Sequence, residues 1–269
     1  MSGPKQPTAP RVIRLSRAAF GLVAGAALLI GGSLLLFPGH TAIYFAWTIK
    51  APIAAVTLGG WFLGLSGFSW ALARAPWRTL RLAAPAIALG SLLMLAVTLI
   101  HRDAFNWGTP WAWIWLLLYV GAPPSFAVLS HRLNRVVDLP KPAPRSSSRL
   151  RAACLAATVV AGGLGAVLCI WPTALIPFWP WPLAPLGARA YAAYALGYAL
   201  WAWRVGHSQP EPSSPLLYLA VFPTIACLSP WLQFASFRAA SPGGVVFLLL
   251  FGGVAVLTAQ AVWAVSRGR

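Results

Sequence analysis

Eight apolar runs dominate this chain, each of about 18 to 23 residues: 18–37, 51–72, 79–100, 111–130, 151–171, 186–204, 215–232 and 243–265. At 1.5 Å per helical residue, about 20 residues cross the roughly 30 Å hydrocarbon core of a bilayer. A soluble fold is excluded, because 59% of the residues are hydrophobic and only 9% charged, where soluble chains carry about 25% charged residues. Disorder is excluded by 15 Trp and 13 Phe, since disordered segments are poor in aromatics. Backbone within lipid must satisfy its own polar groups. The expected fold class is therefore all-α, a polytopic membrane helix bundle of about eight transmembrane helices.

The formal net charge of +17 resembles a nucleic-acid footprint, but such a footprint needs Lys and Arg clustered on one solvated face. Here they fall in the gaps between runs. One set of gaps holds Lys5, Arg11, Arg14 and Arg17, then Arg74, Arg78 and Arg81, then Arg132, Arg135, Lys141, Arg145, Arg149 and Arg151, then Arg204, and finally Arg267 and Arg269. The alternate gaps hold only Lys50, Arg102, Arg189 and Arg238. This alternation, in phase with the runs, is what the positive-inside rule produces. It excludes nucleic acid as a partner and puts both termini in the cytoplasm. The expected partners are the lipid bilayer, anionic lipid headgroups at the cytoplasmic face and other membrane proteins. The expected location is a cell membrane, the plasma membrane of a bacterium. The first run follows a basic segment as a signal peptide does, but its length and the lack of a clean cleavage site mark it as a retained span.

Most tryptophans fall near run ends, Trp61 being mid-run, and an indole settles at the headgroup level. Anchoring is thus the expected role for most of them.

The two halves resemble each other. Phe37-Pro38 matches Trp171-Pro172, Leu63-Gly64 with Trp70 matches Leu196-Gly197 with Trp203, and Phe105, Thr109-Pro110 and Leu116–Tyr119 match Phe237, Ser241-Pro242 and Leu248–Phe251. The offset stays between 132 and 134 residues. Four runs per copy return the chain to its starting side, so the repeat is parallel, 4+4, with a pseudo-twofold axis along the membrane normal. The expected organisation is a basic tail (1–17), a first repeat (18–130), a basic Pro- and Ser-rich linker (131–150), a second repeat (151–265) and a short tail (266–269). Thr109-Pro110 and Ser241-Pro242 are helix starts, the hydroxyl capping an orphan amide and Pro occupying the first turn. Gly21 with Gly25, Gly60 with Gly64, and Gly162, Gly163 and Gly165 offer small-residue packing faces.

Chemistry is sparse. No Asp or Glu lies in any run; the acids are Asp103, Asp138 and Glu211. The four His are dispersed, and the three Cys suit small apolar core positions. No catalytic residue, metal ligand or cofactor motif stands out. The candidate binding residues are His101, Asp103 and Asn106 at the end of the third run, and Arg189 at the start of the sixth. His101 and Asp103 can form a charge-assisted pair; Arg189 either snorkels to headgroups or pairs with Asp103. The aligned second-half stretch has Gln233 for His101 and Ala235 for Asp103, so this cluster is asymmetric. Five prolines in 172–185 forbid a regular helix, and the segment is expected to lie flat on the outer leaflet over a cavity between the halves. Pro123-Pro124 is expected to kink or break the fourth span.

The strings His101-x-Asp103-x-Phe105 and Trp179-Pro180-Trp181-Pro182-Leu183-x-Pro185-Leu186-x-x-Arg189 resemble a family of multi-pass membrane proteins of high-GC bacteria. That resemblance implies a duplicated helical membrane fold and brings no activity with it. The leading reading is a non-enzymatic scaffold or accessory subunit. One alternative is a facilitative carrier of a neutral or lipophilic solute, with its cavity between the repeats. The other is an outer-face lipid-modifying enzyme using His101 and Asp103 as acid and base.

Overall fold

The computed structural model describes residues 9–135, 148–208 and 214–267. Asp138, Lys141 and Arg145 of the linker, Glu211, and residues 1–8 and 268–269 of the tails lie outside the described residues. In chain order the helices are α1 (Ala9–Leu36), α2 (Thr41–Tyr44), α3 (Pro52–Leu72), α4 (Trp77–Ile100), α5 (Pro110–Asn134), α6 (Ser148–Ile170), α7 (Pro172–Leu175), α8 (Pro185–His207), α9 (Ser214–Leu228) and α10 (Pro242–Arg267). Short 3-10 segments follow α1, α4, α7 and α9.

Seven helices are long and apolar enough to cross a membrane: α1, α3, α4, α5, α6, α10, and α9 continued by its 3-10 segment. The sequence pattern predicts eight. The difference is α8, which has 23 residues but carries Arg189, Arg204, His207 and three tyrosines. Most of α8 is buried, Tyr191 and Tyr198 included, while Arg189 and Arg204 near its two ends are half-buried. α3 is likewise enclosed.

Each long helix has a defined neighbourhood. The chain packs α1 on α3 and α6 on α8, α4 on α5 and α9 on α10, then α4 on α8 and α9 on α3. Exchanging α1, α3, α4 and α5 for α6, α8, α9 and α10 leaves this pattern of neighbours unchanged. Small residues set the close contacts. Gly31 faces the Gly59 carbonyl between α1 and α3, Gly60 faces Ser229 between α3 and the end of α9, and Gly165 faces Leu196 between α6 and α8. Gly21, Gly25 and Gly163, by contrast, meet nothing within 4 Å. Their spacing on the helix is right for packing, but they face away from other helices.

At one end of the bundle two aromatic clamps close the loops. In the first, the Asn106 N–H donates to the Ala46 carbonyl, 2.9 Å, and Trp47 sits 5.3 Å from Phe105 and 5.0 Å from Trp115, ring to ring. In the second, the Arg238 N–H donates to the Pro180 carbonyl, 3.0 Å, and Trp181 sits 6.1 Å from Phe237 and 5.2 Å from Phe247. Trp115–Tyr119 and Phe247–Phe251 continue the two clusters, each with ring centroids 4.6 Å apart.

These clamps correct several expectations. Trp47, Trp115, Trp179 and Trp181 are buried core residues rather than anchors, while Trp111, Trp113, Trp171 and Trp231 are exposed as anchors should be. The 172–185 segment is not a surface cover: after α7 and a 3-10 turn it becomes extended and inserts Trp179, Trp181 and Leu183 into the core. α5 runs unbroken through Pro123 and Pro124. Ser241 caps as expected, accepting the Gly244 N–H at 3.1 Å. Thr109 does not; its hydroxyl donates back to the Asn106 carbonyl.

Candidate functional site

Three sets of contacts tie α4 to α8 along the seam between the halves. In the middle, Gly90 and Gly197 let the backbones touch, and a Cβ on Gly197 would lie 3.2 Å from the Ala86 carbonyl and 3.5 Å from the Gly90 Cα. Small residues at a helix crossing permit so close an approach, and of the two Gly197 is the tighter.

At the aromatic end, Arg189 of α8 donates through Nη1 to His101 Nε2 at 2.9 Å and through Nε to the Cys169 carbonyl at 3.1 Å. Arginine only donates, so Nε2 must be the unprotonated nitrogen and the ring proton sits on Nδ1. His101 is the C-cap of α4, and Cys169 lies in the last turn of α6. The guanidinium therefore meets two helix C-termini, the negative ends of their dipoles. Burial first, and the Arg189 charge second, hold the His101 pKa below its usual 6.5.

At the basic end, Arg204 of α8 donates through Nε to the Leu82 carbonyl at 3.0 Å and through Nη2 to the Arg81 carbonyl at 3.3 Å. The cause is local. Pro85 stands inside α4 and has no N–H for the carbonyl four residues earlier, which belongs to Arg81. In lipid an orphan carbonyl needs a donor, and Arg204 supplies it.

The four sequence-derived site residues thus separate. His101 and Arg189 meet. Asn106 reaches Thr48, with Nδ2 to Oγ1 at 3.5 Å. Asp103 is 97% exposed and its ion pair is with Arg102 at 3.6 Å, not with His101 or Arg189. The acid–base dyad of the enzyme reading is therefore not assembled: the imidazole is engaged by a cation and the carboxylate stands in solvent.

Beside the seam lies a cavity of about 210 Å³, walled by residues such as Phe62, Ile87, Met94, Tyr119 and Tyr194 from α3, α4, α5 and α8. Its polar groups differ in how well they are satisfied. Ser91 bonds the Ile87 carbonyl at 2.7 Å and Tyr198 bonds the Leu219 carbonyl at 2.6 Å. The Tyr194 hydroxyl and the Trp201 indole N–H are enclosed without a hydrogen-bond partner. The Tyr119 hydroxyl stands near enough to Tyr194 to interact, without completing a hydrogen bond. Leaving such a group unmet costs about 1–3 kcal/mol.

Sequence reasoning missed Arg204, Tyr119 and Tyr194. For Arg204 a signal existed, since a proline within a membrane helix calls for a donor on a neighbour. For the tyrosines none did, because their apposition depends on how α5 meets α8. No protein-family model, curated protein or solved structure matches the chain, so the family resemblance rests on the quoted strings alone.

Proposed function

We propose that this chain is a non-enzymatic integral membrane protein of a bacterial plasma membrane, a scaffold or accessory subunit made of two parallel four-helix repeats. On this reading all eight long helices cross the bilayer, α8 at the centre, with both termini in the cytoplasm. The observation that carries it is the recurrence of the aromatic clamp, with the same backbone bond, ring cluster and helix neighbours, at residues 132–134 positions later. Parallel repeats require an even number of crossings per copy, which the eighth helix supplies.

The chemistry points the same way. His101, Arg189 and Arg204 spend their polar groups on joining the halves, and such use is structural. His101, Arg189 and Asn106 also border the loops of the aromatic end, where a partner or headgroup can meet them. The basic end meets anionic headgroups through arginines such as Arg74, which lies over Trp70, and Arg81, which lies over Trp77.

The test is complementation of a deletion strain. His101→Ala and Asp103→Ala are expected to complement whenever the protein accumulates. A folded, membrane-inserted Asp103→Ala protein that fails to complement refutes the non-enzymatic reading.

A further inference from the structure

We propose that the cavity beside the α4–α8 seam binds a neutral lipophilic molecule that carries a carbonyl acceptor within its apolar body, held by the Tyr194 hydroxyl. The cavity measures about 210 Å³, and a dry apolar cavity of about 150 Å³ already takes a benzene ring. A substituted ring therefore fits. Leu22 of α1 and Leu118 of α5 line the cavity and are both exposed, so an attached chain can leave between those helices into the lipid.

Depth chooses among membrane molecules. Tyr194 lies nine residues into α8 from Pro185, and Tyr119 lies nine residues into α5 from Pro110. At 1.5 Å per residue both hydroxyls sit about 13 Å below the same end of the bundle, close to the middle of a core about 30 Å thick. The ester carbonyls of phospholipids stay near the interface, far above this level. An acceptor at this depth belongs to a molecule dissolved in the hydrocarbon itself.

The unmet donors select an acceptor rather than a donor. Ser91 and Tyr198 already spend their hydroxyls on backbone carbonyls, whereas the Trp201 indole proton has no acceptor and the Tyr194 hydroxyl has only the Tyr119 hydroxyl beside it, itself a donor, so the tyrosine pair keeps a proton to give. A pure hydrocarbon would fill the space and leave both unmet.

The inference needs only that these helices sit in a bilayer. Its failure would leave the repeat and the non-enzymatic reading standing, and complementation tests those separately. The experiment is equilibrium binding of radiolabelled decyl-substituted benzoquinone to the full chain in phosphatidylcholine nanodiscs, against empty nanodiscs. Radiolabelled decylbenzene, of like shape but without acceptors, is the comparison. Saturable binding is expected for the quinone, weaker binding for decylbenzene, and a loss of about fivefold to tenfold in quinone affinity for Tyr194→Phe. Ala122→Phe, or Ala26→Leu should that variant not fold, fills the cavity and should abolish saturable binding. Absence of saturable binding, equal affinity for the two probes, unchanged affinity in Tyr194→Phe, or full binding in a folded cavity-filling variant would each overturn the proposal.

Discussion

Replacing Gly90 and Gly60 by alanine applies the same chemistry to two helix positions and should have opposite effects. In either helix, Gly→Ala gains about 1 kcal/mol of intrinsic helix preference. At Gly90 the new Cβ would meet the Ala193 carbonyl at 3.5 Å and the Gly197 Cα at 3.9 Å, which is ordinary contact, so most of that gain survives. At Gly60 it would lie 2.6 Å from the Ser229 Cβ and 2.9 Å from its Oγ. Carbon atoms rest about 3.5–4.0 Å apart, so the end of α9 must move away from α3 by about 1 Å. Overpacking of that kind costs about 1–3 kcal/mol. The two variants should therefore differ by about 1–3 kcal/mol, or several degrees of melting temperature at roughly 2–4 °C per kcal/mol. The assay is thermal unfolding of the detergent-solubilised protein followed by size-exclusion chromatography. Gly90→Ala should melt at or above the parent and Gly60→Ala below it. If both rise together, the α3–α9 contact described here is wrong.

Further outcomes follow from the seam and the loops. The His101 pKa is lowered in the fold, so the His101–Arg189 bond contributes stability that is present above about pH 6.5 and lost as pH falls below it. Melting curves across pH 5 to 8 should show that loss in the parent and not in His101→Gln. Arg204→Met should destabilise by about 1.5–3 kcal/mol, and by less in a Pro85→Ala background, where the new amide satisfies the Arg81 carbonyl. A double-mutant cycle with no coupling contradicts that pairing. Asp103→Asn should leave the melting temperature unchanged, because an exposed ion pair contributes little. Trp47→Ala and Trp181→Ala should each cost about 3–5 kcal/mol, and a near-silent result for either would remove its clamp from the core.

Much of the fold was legible because lipid imposes a simple length rule. Three runs start one residue after the Pro that opens the corresponding helix, Pro110, Pro185 and Pro242. The 132–134 offsets that matched Phe105 to Phe237 also matched the hydrogen bonds at Asn106 and Arg238. What stayed hidden depends on which face of a helix meets another. Gly21 and Gly25 have the spacing of a packing motif and face nothing, whereas Gly90 and Gly197 have no glycine three or four residues away and meet across the seam. Trp47 and Trp181 have the composition of interfacial anchors, and only the loop path that folds them inward makes them core. At the candidate site, His101 and Arg189 were legible as unusual charges but their pairing was not. A spacing of two residues favoured Asp103 as the partner of His101, yet the turn after α4 sends that carboxylate into solvent.

The central claim, two parallel four-helix repeats with both termini cytoplasmic, is tested most directly by cysteine labelling in intact cells. Single cysteines at 39, 106, 182 and 240 report one set of loops, and cysteines at 76, 140 and 209 report the other, in a background lacking Cys154, Cys169 and Cys227. A membrane-impermeant maleimide should label all four of the first set in intact cells and the second set only after lysis. Labelling of 39 and 106 together with 140 and 209, or of one half's loops on the opposite face from the other's, would contradict it.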